Sequence, residues 1–262
     1  MRWTIHSTTP YPSLLESGTI RALRENSVGP EIYFSGAVLD EILPPEAEKT
    51  AADLRDAGVS SLTFHAPFLD LWPGARDEEV RRLSVRRIKQ AISLAALFRP
   101  EGVVVHGGYY NWLFDFRPDK WLESATRSFN ELAEAAEKAD TRLFVENVFD
   151  DEPSYLLQLR DAVGSPRLGF CLDPGHASLF SNIPLHQWAE AFGENILQMH
   201  VHDNRRQRDD HLPVGEGTLN YRGVLLAALD AGARPILTVE PHRKEHFLRS
   251  LSGLREILAS IP

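Results

Sequence analysis

The chain alternates, and that alternation limits its folding choices more than any other feature. Short apolar, β-branched runs give way to longer amphipathic stretches eight times, and most runs close on a histidine or an acid. The runs are Trp3–His6, Glu31–Phe34, Leu62–His65, Gly102–His106, Leu143–Glu146, Leu168–Leu172, Ile196–His200 and Pro235–Glu240. Each is too short and too rich in branched residues for a helix, and each reads as a buried strand.

Between them the apolar period lengthens to that of a helix. Helices are expected over Leu14–Glu25, from Pro45 to Gly58, from near Asp77, from Pro118, over Ser154–Val163, from Pro184 and over Tyr221–Gly232. Proline suits a first helical turn, and Gly58 and Gly164 suit helix ends. The last helix sets Phe247, Leu248, Leu251, Leu254, Ile257 and Leu258 on one face. Arg81, Arg82, Arg86 and Arg87 read as the solvated face of the helix near Asp77.

Eight strand–helix units fit either a closed barrel or an open doubly wound sheet. An open sheet collects ligands at one switch point, whereas a barrel collects them from many strand ends. Here the ends carry His6, His65, His106, Glu146, Asp173, His200 and Glu240. The expectation is therefore one (β/α)8 TIM barrel over residues 1–262, α/β in class and single in domain.

Composition narrows the setting. With 43% hydrophobic and 25% charged residues in 262, the chain is globular. No apolar stretch approaches the roughly 20 residues needed to span a bilayer. No signal peptide is visible, and the lone Cys171 excludes an internal disulfide, so the expectation is a cytoplasmic protein without a membrane partner. A net charge of −9 disfavours nucleic acid. Self-association is left open.

Imidazole and carboxylate are densest from Gln198 to Gly217, where His200, Asp209 and His211 point to a divalent metal. Glu146 and Glu240 close buried strands and need a cation or donors, and the Asp173-Pro-Gly-His176 turn lets an acid and an imidazole converge. Asn147, His202, Asp203 and Asn204 are expected to support ligands or touch substrate. Phe34, Phe68, Tyr109 and Trp112 follow strands two to four and are expected at the rim, against substrate, as is His6, which closes strand one. Arg205 and Arg206 are candidates to grip a phosphate. His186, His242 and His246 read as ordinary helix or loop histidines.

Taken in order, His65-Ala-Pro-Phe68, Val104-Val-His106-Gly-Gly, Val145-Glu146-Asn147, Leu172-Asp173-Pro-Gly-His176, Met199-His200-Val-His-Asp203 and Asp209-Asp-His211-Leu-Pro-Val-Gly-Glu-Gly217 resemble the xylose isomerase-like barrel superfamily. That group contains sugar-phosphate isomerases, ketose 3-epimerases and endonuclease IV. The resemblance spans nearly the whole chain and implies two readings. In the epimerases one metal is held by residues matching Glu146, Asp173, His200 and Glu240, and the two glutamates exchange a proton beside a sugar carbonyl. Endonuclease IV adds metals through residues matching His65, His106, His176, Asp209 and His211, all present here.

One departure matters: the epimerases usually carry Arg where this chain has His211. The sequence favours a metal-dependent sugar or sugar-phosphate isomerase or epimerase, with Glu146 and Glu240 catalytic. A multi-metal phosphodiesterase is the alternative, and a metal- or sugar-binding barrel without turnover is the third. One to three ions per chain are expected, with Mn, Zn or Co suiting mixed imidazole and carboxylate donors.

Overall fold

The computed structural model describes residues 3–262. Eight parallel strands close into a barrel in sequence order: β1 Ile5–Pro10, β2 Gly29–Tyr33, β3 Thr63–His65, β4 Val103–His106, β5 Leu143–Glu146, β6 Leu168–Leu172, β7 Ile196–Val201 and β8 Ile236–Val239. β8 pairs with β1 through Ile5 and Leu237, which closes the ring. The barrel is the one expected.

Two apolar layers hold it. Val104, Phe144 and Cys171 pack inside the barrel, and Gly102 leaves the space that the Phe144 ring fills. Between the strands and the outer helices lies the larger core, including Phe64, Trp121, Phe170, Trp188 and Leu254. Helix ends are made locally. Asp77 caps Glu78–Ser93 by accepting from the main-chain N–H of Glu79 and Val80, and Pro118 opens the helix that runs to Lys138. The first expected helix is split instead, into Tyr11–Leu14 and Thr19–Glu25, because Gly18 takes a left-handed φ of 95°.

Three expectations change here. Arg81 is buried, not solvated: it pairs with Glu78 and Glu131 and bonds Ser128, tying its helix to Pro118–Lys138. β1 runs on to Pro10, so His6 begins the strand and lies away from the mouth, bonded to the hydroxyls of Thr63 and Ser61 at 3.0 Å each. Phe34 is fully buried in the outer core beside Tyr11, Phe64 and Phe98. Strand side chains alternate between faces, so placing Glu31 inside the barrel sends Phe34 outward and gives Tyr33 the mouth position.

Candidate metal centre

The barrel mouth gathers its polar groups by register. His106 at the end of β4 pairs with Glu146 at the end of β5, so imidazole and carboxylate are neighbours before any side chain is placed. Asp173 follows β6 and caps the helix Pro174–Phe180, accepting from the His176 N–H at 2.9 Å. That cap puts Asp173 and His176 on one side of the first turn. Asn147 clamps the same corner, with its amide bonded to both the N–H and the carbonyl of Asp173 at 2.8 Å.

The loop after β7 returns to the mouth because Asp203 organises it. Its main chain pairs with Leu212, and its carboxylate accepts from the N–H groups of Asn204, Gly215 and Leu219. Gly217 lies so close to Asp203 that a Cβ would fall 2.1 Å from Oδ1, so only glycine fits. His211 adopts a left-handed φ of 44°, a costly conformation that turns its ring onto Asp209 and Glu240.

Glu146 lies at the centre. Its Oε2 is 3.3 Å from Nε2 of both His65 and His106, and its Oε1 is 3.2 Å from His176 Nδ1 and 3.3 Å from His200 Nδ1. Asp173 reaches His176, His200 and His202, and Asp209 reaches His176, His202 and His211. Glu240, just past β8, has Oε2 3.6 Å from His200 and 3.7 Å from His211.

The donors fall into contiguous groups that could each hold a cation. These are His65, His106 and Glu146; Glu146, Asp173 and His176; and His176, His202, Asp209 and His211, with donor atoms within 4.8 Å of one another in each group. Asp173, His202 and Glu240, and Glu31, His200 and Glu240, make two more.

Electrostatics explains why such an arrangement needs cations. Among the described residues, every ion-pair partner of Glu146, Asp173, Asp209 and Glu240 is an imidazole, and no lysine or arginine lies within ion-pairing distance of them. Burial alone would raise Glu146, Asp173 and Asp209. The surrounding imidazoles outweigh it, holding Glu146 well below the carboxylate range and Asp173 down at about 2. His176 and His200 are pushed down by burial but held well above the usual histidine value by the acids around them. His200 Nδ1 and His202 Nδ1 are buried without a hydrogen-bond partner. Buried acids facing only imidazoles, with orphaned ring nitrogens among them, fit divalent ions bound by mixed N and O donors.

The candidate ligands read from the sequence, His65, His106, Glu146, Asp173, His176, His200, Asp209, His211 and Glu240, all come together here. The candidate substrate contacts fare differently. Asn147 is consumed by its clamp on Asp173. Tyr109 is buried among Phe114, Trp121 and Tyr155, while its neighbour Tyr110 turns to Phe149. Trp112 is 74% exposed on the loop after β4, touching Phe116 rather than the cluster. Arg205 and Arg206 are exposed beyond Asn204. Phe68 does reach the site, stacked on His106 at 4.5 Å, and His202 bonds Asp173 at 3.1 Å.

Two residues join the site that the sequence did not single out for it. Glu31 sits fully buried inside the barrel against His200, and His242 stacks on His211. A glutamate inside an apolar strand was the available signal for Glu31, the same one that marks Glu146. No sequence pattern marked His242.

A barrel whose C-terminal mouth carries such a cluster is a TIM barrel with a candidate metal site where such barrels place their active sites. The chain belongs to the xylose isomerase-like TIM barrel family, whose profile matches residues 29–259. It is 30% identical to the uncharacterized protein MJ1311 of Methanocaldococcus jannaschii, over 98% of this chain and 89% of that one. It is 28% identical to a probable endonuclease 4 of Mycobacterium marinum, over 82% of this chain and 86% of that one. Among solved structures, a D-tagatose 3-epimerase-like protein superposes with a TM-score of 0.83 at 28% identity, covering 98% of this chain and 97% of its own. The TTHB071 protein of Thermus thermophilus, soaked with ZnCl2, superposes with a TM-score of 0.80 at 25% identity, covering 98% of this chain and 99% of its own. Among the described residues, no helix is long and apolar enough to cross a membrane.

Proposed function

We propose that this protein is a multi-metal hydrolase of phosphate esters, those of sugars included, working at the mouth built around Glu146. The observation that carries this reading is the enclosure of Glu146. Its side chain is 1% exposed, and both oxygens face imidazoles, two on each side. A base that shuttles protons on a sugar carbon needs an oxygen open to substrate. A carboxylate placed between two donor groups would instead help to hold cations.

Residues divide the work accordingly. His65 and His106 would serve one side of Glu146; His200, with Asp173 and Glu240 3.8 and 3.6 Å from its Nδ1, would serve the other; and His176, His202, Asp209 and His211 would form a third position. When bound, divalent ions supply Lewis-acid polarisation of the ester and activation of water. Glu240, steadied by the Thr8 hydroxyl at 3.3 Å, can orient a water and accept its proton. Asp209, with 35% of its side chain exposed, lies where a phosphoryl group enters. Arg205 and Arg206 can reach a phosphate only if their loop folds inward, and the −9 net charge favours a small ester over a long nucleic acid.

A second reading, epimerisation or isomerisation of a ketose or its phosphate by Glu146 and Glu240, draws support from the convergence of Glu146, Asp173, His200 and Glu240 and from the epimerase-like neighbour. One experiment separates the two. Metal-loaded protein is incubated in H2 18O with bis(p-nitrophenyl) phosphate, a set of sugar phosphates and an abasic oligonucleotide, and in D2O with ketohexoses and their phosphates. Chelator-sensitive 18O in a phosphate product is expected. Deuterium at a sugar carbon without 18O uptake would replace the hydrolase reading with the epimerase one.

A further inference from the structure

We propose that Glu31, deep inside the barrel, acts not as a metal ligand with His200 and Glu240 but as the positioning residue that fixes which nitrogen of His200 faces the metal centre. The inference rests on the metal centre proposed above, and not on which substrate it serves.

Four histidines of the cluster are oriented in two different ways. His65 Nδ1 bonds the carbonyl of Ala66 at 2.8 Å, His176 Nδ1 that of Asn147 at 3.1 Å, and His211 Nδ1 that of Glu240 at 3.1 Å. A carbonyl accepts only, so each of these rings carries its hydrogen on Nδ1, and Nε2 faces Glu146 in His65 and Asp209 in His176 and His211, although His176 Nδ1 also lies 3.2 Å from Glu146 Oε1. His200 is reversed. Its Nε2 lies 3.1 Å from Glu31 Oε2, and its Nδ1 points among Glu146 Oε1 at 3.3 Å, Glu240 Oε2 at 3.6 Å and Asp173 Oδ2 at 3.8 Å. That Nδ1 is buried and has no hydrogen-bond partner. A side-chain carboxylate, not the main chain, sets this ring.

Glu31 is itself held for the task. Thr8 Oγ1 donates to its Oε1 at 3.1 Å, and the Gln198 amide donates to the same Oε2 that His200 meets. Both donors come from other strands of the barrel, so the carboxylate is held from two sides. An anionic acceptor also makes the imidazole a stronger donor to a metal than a carbonyl does. Thr8 lies within reach of Glu240 Oε1 as well, at 3.3 Å, so its one proton is given to either Glu31 or the candidate ligand just past β8 at a time.

The test is Zn2+ binding by the full chain, followed by competition with a chromophoric chelator and by elemental analysis, for wild type, Glu31→Gln and Glu31→Ala. Losing such a partner usually weakens metal binding about 10- to 100-fold. Glu31→Gln should weaken one position by that amount and leave the others unchanged. Glu31→Ala should lower the bound zinc by up to one ion per chain. Co2+ loaded into Glu31→Gln should show shifted visible absorption bands, since the ligand field at His200 changes.

Melting of the chelator-stripped proteins provides the control. A purely structural Glu31 would lower the stripped melting temperature and leave zinc affinity alone, and that result overturns the inference. So does wild-type affinity and an unchanged Co2+ spectrum in folded Glu31→Gln, which remains decisive if Glu31→Ala does not fold. Metal binding by wild type without phosphate-ester hydrolysis would instead remove the proposed activity while leaving the Glu31 result standing.

Discussion

The ring of His242 lies flat on that of His211, with centroids 3.5 Å apart and planes 14° from parallel, and His211 lies in turn on His202 at 3.7 Å. The column runs from an exposed loop residue to the buried heart of the cluster. Packing on both faces fixes the His211 plane, and its Nε2 then meets Asp209 at 2.9 Å.

His242→Ala should therefore loosen the position formed by His176, Asp209 and His211. A stacked aromatic pair contributes about 0.5–1.5 kcal/mol beyond its buried area, so zinc there should bind about 2- to 10-fold more weakly. His242→Phe keeps a flat face and should bind as wild type does. Chelator competition on both variants checks this, and equal losses in the two would mean that the imidazole contributes more than its surface.

Metal content should respond separately at the two ends of the cluster. His65→Ala removes a donor from the group with His106 and Glu146, and His211→Ala removes one from the group with His176 and Asp209. Elemental analysis of protein purified without added metal or chelator should show a drop of about one ion per chain in each variant. Content unaffected by either change would reduce the centre to Glu146, Asp173, His200 and Glu240.

Acid should destabilise the fold through His6. Burial lowers its pKa from 6.5 to about 4, outweighing the attraction of Glu31. Between those values the unfolded chain takes up a proton that the native ring refuses, so stability falls as pH drops from 6.5 to 4. The His6 share is roughly 3 kcal/mol. Urea melts of wild type and His6→Gln should differ most near pH 7 and converge toward pH 4.

Removing metal should expose the opposite dependence above neutrality. In the stripped protein the acids hold His65, His176, His200 and His211 above the ordinary histidine value despite burial. Stability from such protonated rings is present below pH 6.5 and is lost as pH rises through their folded values. Stripped protein should thus melt progressively lower from pH 6.5 to 9, while zinc-loaded protein should not. A free ion at 1,000 times its Kd adds about 4 kcal/mol, or roughly 10 °C for a chain of this size. Parallel curves for the two forms would mean that the imidazoles are not the site of the ion.

The sequence by itself determined the alternation of strand and helix, because periods of 2 and 3.6 are properties of local backbone geometry, and its polar strand ends then pointed to the closed barrel over the open sheet. It also named most of the cluster. His65, His106, Glu146, Asp173, His200 and Glu240 end strands or follow them directly, and a barrel sends all such ends to one mouth.

What it left undecided turned on parity and on reach. The parity of β2 puts Glu31 inside against His200, and with that parity Phe34 faces the helices. Extending β1 to Pro10 drops His6 to the far end of its strand. His242 meets His211 only because the Asp203–Leu212 pairing folds one loop back against the next. Strand ends and loop paths are settled by closure and packing across the whole ring, which no local window of sequence contains.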